Sequence, residues 1–315
     1  VSSGQRARRL AAFAIPVAVT AGTLAAAGAA SAAYPWPVPP FSAQHPVRAD
    51  LDDPRITMGS LDSHDPRNHS AFHSGIDIST PDGSGVYSVS SGVTLVARAD
   101  AVNVVDGGVT FTYWHVHPAV PAGVFVREHQ LLGTVTRGWG HVHFAERDGG
   151  VYVNPLRAGA LTPYVDGTTP VIRDALVYQS GKLRSIQSGP LRGVVSLVAD
   201  AYDTPPLAPP PPWDATVLPP AYVSWRLDDA RGNGVLPQRL VADLRWRLLW
   251  DPLGAVFAPG TFENDAHYPG IYHFWLARHW DTRRLRNGDY ELWITAGDIR
   301  GNELSESFTF TIANA

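Results

Sequence analysis

Beyond residue 33, short runs of alternating apolar and polar positions dominate this chain, broken by Gly, Pro, Asp and Asn. Period-two alternation marks half-buried β-strands, because successive side chains point to opposite faces. The pattern predicts short strands at Arg55–Met58, Gly85–Val89, Gly92–Ala97, Val102–Val105, Val109–Trp114, Gly133–Val135, His141–Ala145 and Val151–Val153. Asp106-Gly107-Gly108 predicts a hairpin turn, and Asp148-Gly149-Gly150 a second turn. Ser63–Ser70 is polar and predicts a loop. No stretch here shows the 3.6-residue period of an amphipathic helix.

Residues 158–170 carry Gly159, Pro163, Gly167 and Pro170 and predict a linker. Longer strands then resume, clearest at Val171–Tyr178, Val194–Ala199, Tyr222–Leu227, Tyr290–Ala296 and Phe308–Ile312. Pro205–Pro220 cannot be a central strand and predicts an exposed polyproline-like loop. The expected fold class is all-β. A compact antiparallel sheet at 55–157 is followed by an immunoglobulin-like β-sandwich at 171–315, without that fold's Cys-Trp-Cys signature. Asn287–Glu303 (NGDYELWITAGDIRGNE) is similar to the closing hairpin of bacterial immunoglobulin-like domains. Asp298 and Asn302 within it are expected to form an Asx turn; calcium binding is the weaker reading.

The ends of the chain add context. Arg6, Arg8 and Arg9 precede an Ala-rich apolar run from Leu10 to Ala30, and Ala30-Ser31-Ala32 has the small-x-small form of a cleavage site. Residues 1–33 therefore predict a secretory signal, against a weaker reading as a membrane anchor. Residues 34–54 form a Pro-rich, extended lead-in. The 315 residues are 44% hydrophobic and 17% charged, with 29 Gly and 27 Pro, which fits a turn-rich β protein. The net charge of −4 offers no reason for a nucleic-acid partner. There is no cysteine, so disulfides, thiolate zinc sites and a Cys nucleophile are excluded. Any metal must be held by His and carboxylate.

Eight of the twelve histidines lie between His64 and His143. His73 and Asp77, four apart in HSGID, share one side of an extended segment, with Gly75 leaving room for a close backbone. His141 and His143, two apart in GHVHF, share a strand face. His115 follows the alternating strand that ends near Tyr113. Three protein ligands and an open position are what catalytic zinc requires, and further histidines can handle protons. A lone His-x-His, or a lone His-x-x-x-Asp, is more often ordinary packing. The ordered combination is what carries the signal.

FHSGIDI, then YWHV, then GHVHF followed by YVNP, resembles the LytM/lysostaphin-type zinc metallopeptidases over residues 55–157. The resemblance implies a compact antiparallel β domain with one zinc ion in an open groove. It implies His73, Asp77 and His143 as ligands, and His115 and His141 as catalytic histidines. Gly83-Ser84-Gly85-Val86 is similar to the family's Gly-x-x-Val. Val116 and Val142 stand in place of Leu, and His129 in place of a Gly before Gln130. The loop Thr136–Gly140 is short and carries Trp139 to the expected groove edge. These departures bear on substrate subsites. His117 and His129 are expected bystanders, His64 and His69 groove-side or solvated. His267, His273 and His279 are expected on the surface or in the sandwich, and Glu146 is expected exposed. His45 and Asp50 are the residues of the lead-in available to block a metal.

The implied activity is a secreted zinc endopeptidase cutting peptides of bacterial peptidoglycan. His115 or His141 would take the water's proton while the other steadies the oxyanion. No HExxH helix exists, so a Glu-based scheme does not apply. Two rival readings are an inactive LytM-like binding or activator module and a zinc endopeptidase of extracellular proteins. Degenerate modules lose ligands, whereas all five positions are present here. A monomer without stable membrane insertion is expected after signal removal.

Overall fold

The computed structural model describes residues 33–56 and 71–314. The expected export signal, residues 57–58 of the first expected strand, His64, His69 and the loop Ser63–Ser70 lie outside the described residues. Among the described residues no helix is long and apolar enough to cross a membrane.

The chain is all-β. Its first half carries β1 (Val47–Ala49), β2 (Pro54–Arg55), β3 (Ala71–Phe72), β4 (Ile76–Ser79), β5 (Gly85–Tyr87), β6 (Gly92–Arg98) and β7 (Ala101–Asp106). These are followed by β8 (Val109–Trp114), β9 (Val116–Pro118), β10 (Phe125–Val126), β11 (Leu131–Val135), β12 (His141–Asp148) and β13 (Val151–Val153). The second half carries β14 (Val171–Gln179), β15 (Lys182–Ser185), β16 (Val194–Tyr202), β17 (Tyr222–Asp229) and β18 (Gly234–Asp243). After one helical turn, α1 (Leu253–Val256), come β19 (His273–Asp281), β20 (Gly288–Gly297) and β21 (Glu303–Ile312).

The sheet that builds the site runs β1-β4-β12-β8-β7-β6-β10, with β13 also pairing β12. Gly107 and Gly108 close the β7–β8 hairpin, in which Asp106 stands opposite Val109. A three-stranded sheet, β5-β11-β9, and the pair β2-β3 complete the first half. Its core holds Ile76, Ile78, Val104, Tyr113, Val142 and Phe144, all fully buried.

The lead-in is not a loose arm. Tyr34, Trp36 and Val38 are buried in that core, and Trp36 Nε1 donates to the Pro163 carbonyl at 2.7 Å. β1 then pairs with β4. Burying two large rings outweighs ordering a short segment whose prolines already restrict it. Glu146 also departs from expectation. β12 continues to Asp148, so Glu146 shares the core face with Phe144 and is fully buried. Tyr34 Oη donates to it at 2.7 Å, and Arg157 grips both its oxygens at 2.6 and 2.7 Å.

The second half forms two four-stranded antiparallel sheets, β15-β14-β16-β19 and β18-β17-β20-β21. Val177, Leu197 and Phe274 from one, with Val223, Leu292 and Ile294 from the other, share one core. Pro237 is tolerated in β18 because that strand is a sheet edge. Ile56 and Phe72, from beside and within the β2-β3 pair, join this second core. The two halves are thus stitched together next to His73. Asn264 Nδ2 donates to the Arg48 carbonyl at 2.8 Å, and Leu249 N–H to Asp52 Oδ1 at 2.9 Å.

Candidate metal centre and cleft

Asp77 on β4 stands opposite His143 on β12, so both side chains leave the same sheet face. His73 lies just before β4, and its backbone N–H is held by the Asp53 carbonyl at 3.0 Å. The three bring their donor atoms together. His73 Nε2 is 3.1 Å from Asp77 Oδ1, His143 Nδ1 is 3.2 Å from the same oxygen, and the two nitrogens are 2.7 Å apart. Gly75 makes this possible. A Cβ there would meet the Phe144 carbonyl oxygen at 2.4 Å and His143 Nε2 at 3.0 Å.

The surroundings fix this set. His73 Nδ1 lies 2.8 Å from the Asp50 carbonyl. A carbonyl only accepts, so Nδ1 carries the proton and Nε2 presents a lone pair to the centre. Burial, then the Arg55 charge, push the His73 pKa down to about 4, so the ring is neutral at pH 7. Burial alone would raise the Asp77 carboxyl; His73 and hydrogen bonds from His141, His143 and His73 hold it well below the usual range. Arg55 Nη2 binds Asp77 Oδ2 at 2.9 Å, and its Nη1 binds buried Asp53 at 3.0 Å. Asp77 therefore offers a single oxygen to the centre.

These residues fit a zinc ion. Tetrahedral ligands at 2.0–2.1 Å from zinc lie about 3.3 Å apart. The two imidazole nitrogens, 2.7 Å apart, need to open by about 0.6 Å, and their distances to Asp77 Oδ1, 3.1 and 3.2 Å, by about 0.1–0.2 Å. The set of two imidazoles and one carboxylate is a zinc donor set without sulfur.

His141 and His115 flank the three. His141 Nε2 is 3.4 Å from Asp77 Oδ1. Its Nδ1 lies 2.6 Å from Arg48 Nη2 and 2.8 Å from the Trp139 carbonyl. The guanidinium donates and the carbonyl accepts, so the two partners favour opposite tautomers of the ring. His115 ends the β8 run with φ at +64°, which separates β8 from β9 and turns the ring towards His141, 4.7 Å between centroids. The ring stacks on Trp139 at 3.6 Å and 16°. Burial, then His141, push its pKa down to about 3.

The structure thus brings together all five residues singled out by the motifs. His117 points to solvent from β9, and His129 stacks on Phe41 at 4.1 Å. His45 sits against Pro40 and Trp36 and does not line the cleft. Asp50 acts through its backbone carbonyl, as a support for His73.

The five residues line a cleft of about 1030 Å³. Sequence reasoning missed its far wall, which comes from the second half of the chain. Pro210–Pro212 and Trp213 of the Pro-rich loop line it, as do Glu263–Ala266. Trp213 lies under the Arg48 guanidinium at 4.0 Å. Nothing in the composition of either loop marks this role, because it depends on how the two halves pack.

A second acidic group, Asp166, Asp203 and Asp298, brings carboxylates within 4.8 Å of one another. Asp298 Oδ1 accepts from Arg300 N and Asn302 N, the expected Asx turn.

No family model matches the chain, and no curated protein matches it. Several solved structures do. A zinc-containing peptidase from Vibrio cholerae is 23% identical, over 37% of this chain and 41% of that one, with a TM-score of 0.28. Csd3 from Helicobacter pylori is 23% identical, over 39% and 36%, with a TM-score of 0.28. Lysostaphin is 13% identical, over 84% and 91%, with a TM-score of 0.27. The chain thus covers less than half the length of the first two.

Proposed function

We propose that this protein is a secreted zinc endopeptidase that hydrolyses peptide bonds, with bacterial peptidoglycan peptides as substrate. The proposal assigns the peptidase to residues 55–157 and a β-sandwich to 171–315, and rests export on the pattern of residues 1–33. One observation carries the activity. Three zinc-type donors converge on one point with two further imidazoles beside them, at the base of a cleft open to a chain-like substrate.

His73, Asp77 and His143 would hold the metal. When bound, zinc supplies Lewis acidity and lowers the pKa of its water. The protein's own residues do the rest. His115 or His141 accepts a proton from the attacking water at a ring nitrogen. The other imidazole, as an N–H donor, steadies charge on the scissile carbonyl oxygen. The protonated ring then returns its proton to the leaving amine. Arg55 and the Asp50 carbonyl keep the donors aimed. The inactive-module reading gains no support, since no ligand position is lost.

The test pairs metal content with product analysis. Purified protein is incubated with purified peptidoglycan and, separately, with an elastin-like protein, and the products are read by mass spectrometry. Peptide cleavage in the first, lost together with zinc in His143→Ala, is expected. Zinc retention and full activity in His143→Ala would sink the ligand assignment. Cleavage of the protein alone would move the substrate to extracellular proteins.

A further inference from the structure

The sheet face that presents the zinc-type donors extends well beyond them. Residues directly opposite in antiparallel strands point to the same face. Asp77 stands opposite His143, His143 opposite Trp114, Trp114 opposite Ala101, and Ala101 opposite Arg98. One cross-strand row therefore runs from the donors to Arg98. A neighbouring row on the same face sets Arg147 opposite Tyr152. Between these rows lies a hollow of about 200 Å³, lined by Arg98, Asn103, Trp114, Arg147, Tyr152 and threonines of β8. The small side chain of Ala101 leaves its floor open.

Among the described residues no carboxylate lines this hollow. Arg98 lies over the Trp114 ring at 5.9 Å and Arg147 over Tyr152 at 6.0 Å. Among the described residues neither guanidinium is in an ion pair. Among the described residues Arg147 donates only its Nε, to the Gly150 carbonyl at 2.9 Å, which leaves its terminal nitrogens for a ligand. Two cations without an anion match a ligand carrying a carboxylate.

We propose that this hollow is a recognition site for an acidic residue of the peptide substrate. The carboxylate binds Arg98 and Arg147. Arg98 is on β6 and Arg147 on β12, so a carboxylate bound by both lies over β7 and β8, about 10 Å from the donors, which an extended peptide spans in about three residues. The acidic residue therefore sits about three residues from the bond over the metal donors. This assignment rests on the peptidase reading, since the register counts from that bond.

The test uses the full-length, zinc-loaded protein and two matched glycine-rich peptides, one carrying Glu and the other Gln at the same position. Binding is read by Trp fluorescence on rapid mixing, before any turnover. The Glu peptide is expected to bind about tenfold more tightly. Arg98→Gln/Arg147→Gln should abolish that preference with zinc content unchanged, and Arg98→Lys/Arg147→Lys should restore part of it. Equal affinity for the two peptides in the native protein, or an undiminished preference in the Gln double variant, overturns the proposal. Hydrolysis is followed separately on the same peptides and on cell walls. A Glu preference that vanishes in the double variant, without any hydrolysis, would leave the anion site standing and remove the peptidase. Hydrolysis without a Glu preference would do the reverse.

Discussion

Arg55 Nη2 lies 2.9 Å from Asp77 Oδ2, the carboxylate oxygen turned away from the histidines. The pairing leaves Oδ1 alone to face His73 and His143, at 3.1 and 3.2 Å. Supports of this kind orient ligands and typically set metal affinity by about 10–100-fold. Arg55→Gln is therefore expected to weaken zinc binding by about that factor in competition with a chromogenic chelator. The circular dichroism spectrum should be unchanged. Native zinc affinity in the variant would show that the carboxylate is aimed by other means.

Trp139 is the second support. Its ring stacks on His115 at 3.6 Å, and among the described residues the buried Nδ1 of His115 has no hydrogen bond to hold it instead. Misplacing a reacting group by about 1 Å can cost 10²-fold in rate. Trp139→Ala should lower kcat by about ten- to a hundredfold on the substrate identified by mass spectrometry, with zinc content intact. Trp139→Phe should keep most of the rate, because a smaller ring still stacks. Equal rates for all three proteins would detach Trp139 from catalysis.

These supports show what the sequence could and could not say. Spacing made His73 with Asp77, and His141 with His143, legible as pairs sharing a face, while the choice of metal donors among them came from the resemblance of the three motifs together. The hairpin of β7 and β8 was legible from Asp106-Gly107-Gly108 in the same way. Arg55, Arg48 and Trp213 were not, because their partners lie 22, 93 and 165 residues away. Glu146 misled because a carboxylate after a motif usually faces water. Only the extension of β12 to Asp148, opposite Val109, puts it on the core side. β19 was missed because its pairing with β16 slips register at two places, which blurs the alternation.

Glu146 makes a stability prediction. It is fully buried, accepts from Tyr34 Oη and is held by Arg157. Removing one partner of a buried ion pair typically costs about 3–5 kcal/mol, because the other charge is left uncompensated. Glu146→Ala should lose about that much in urea denaturation. Tyr34→Phe removes one hydrogen bond and should lose about 1–3 kcal/mol. A loss under about 1 kcal/mol in Glu146→Ala would mean that water or another group replaces the carboxylate.

The far wall of the cleft predicts a division of labour between the two halves. Trp213 touches Arg48 and lines the cleft from the second half of the chain, opposite the strands that carry Asp77 and His143. Trp213→Ala should raise KM for long peptides and leave zinc content unchanged. A peptide too short to reach the wall should be cut at the native rate. If kcat falls while KM holds, the tryptophan acts through Arg48 on His141 and not on the substrate.

Asp203 offers a test by pH, away from the metal donors. Burial pushes its pKa from 3.8 up to about 8; the Thr204 N–H opposes this, and Asp166 and Asp298 add to it. The folded chain therefore keeps this proton up to about pH 8, while the unfolded chain releases it near pH 4. Between those values folding takes up a proton, so stability falls as pH rises, and the full cost is present above pH 8. Asparagine cannot ionise. Asp203→Asn should match the native protein at pH 4 and exceed its Tm at pH 9. About 1 kcal/mol corresponds to about 2–4 °C in a domain of 150–250 residues. The difference in Tm between the two proteins, measured across pH 4–9, should open with a midpoint set by the two pKa values. A difference that stays flat, or that closes as pH rises, would mean that Asp203 is ionised throughout and held by a positive partner.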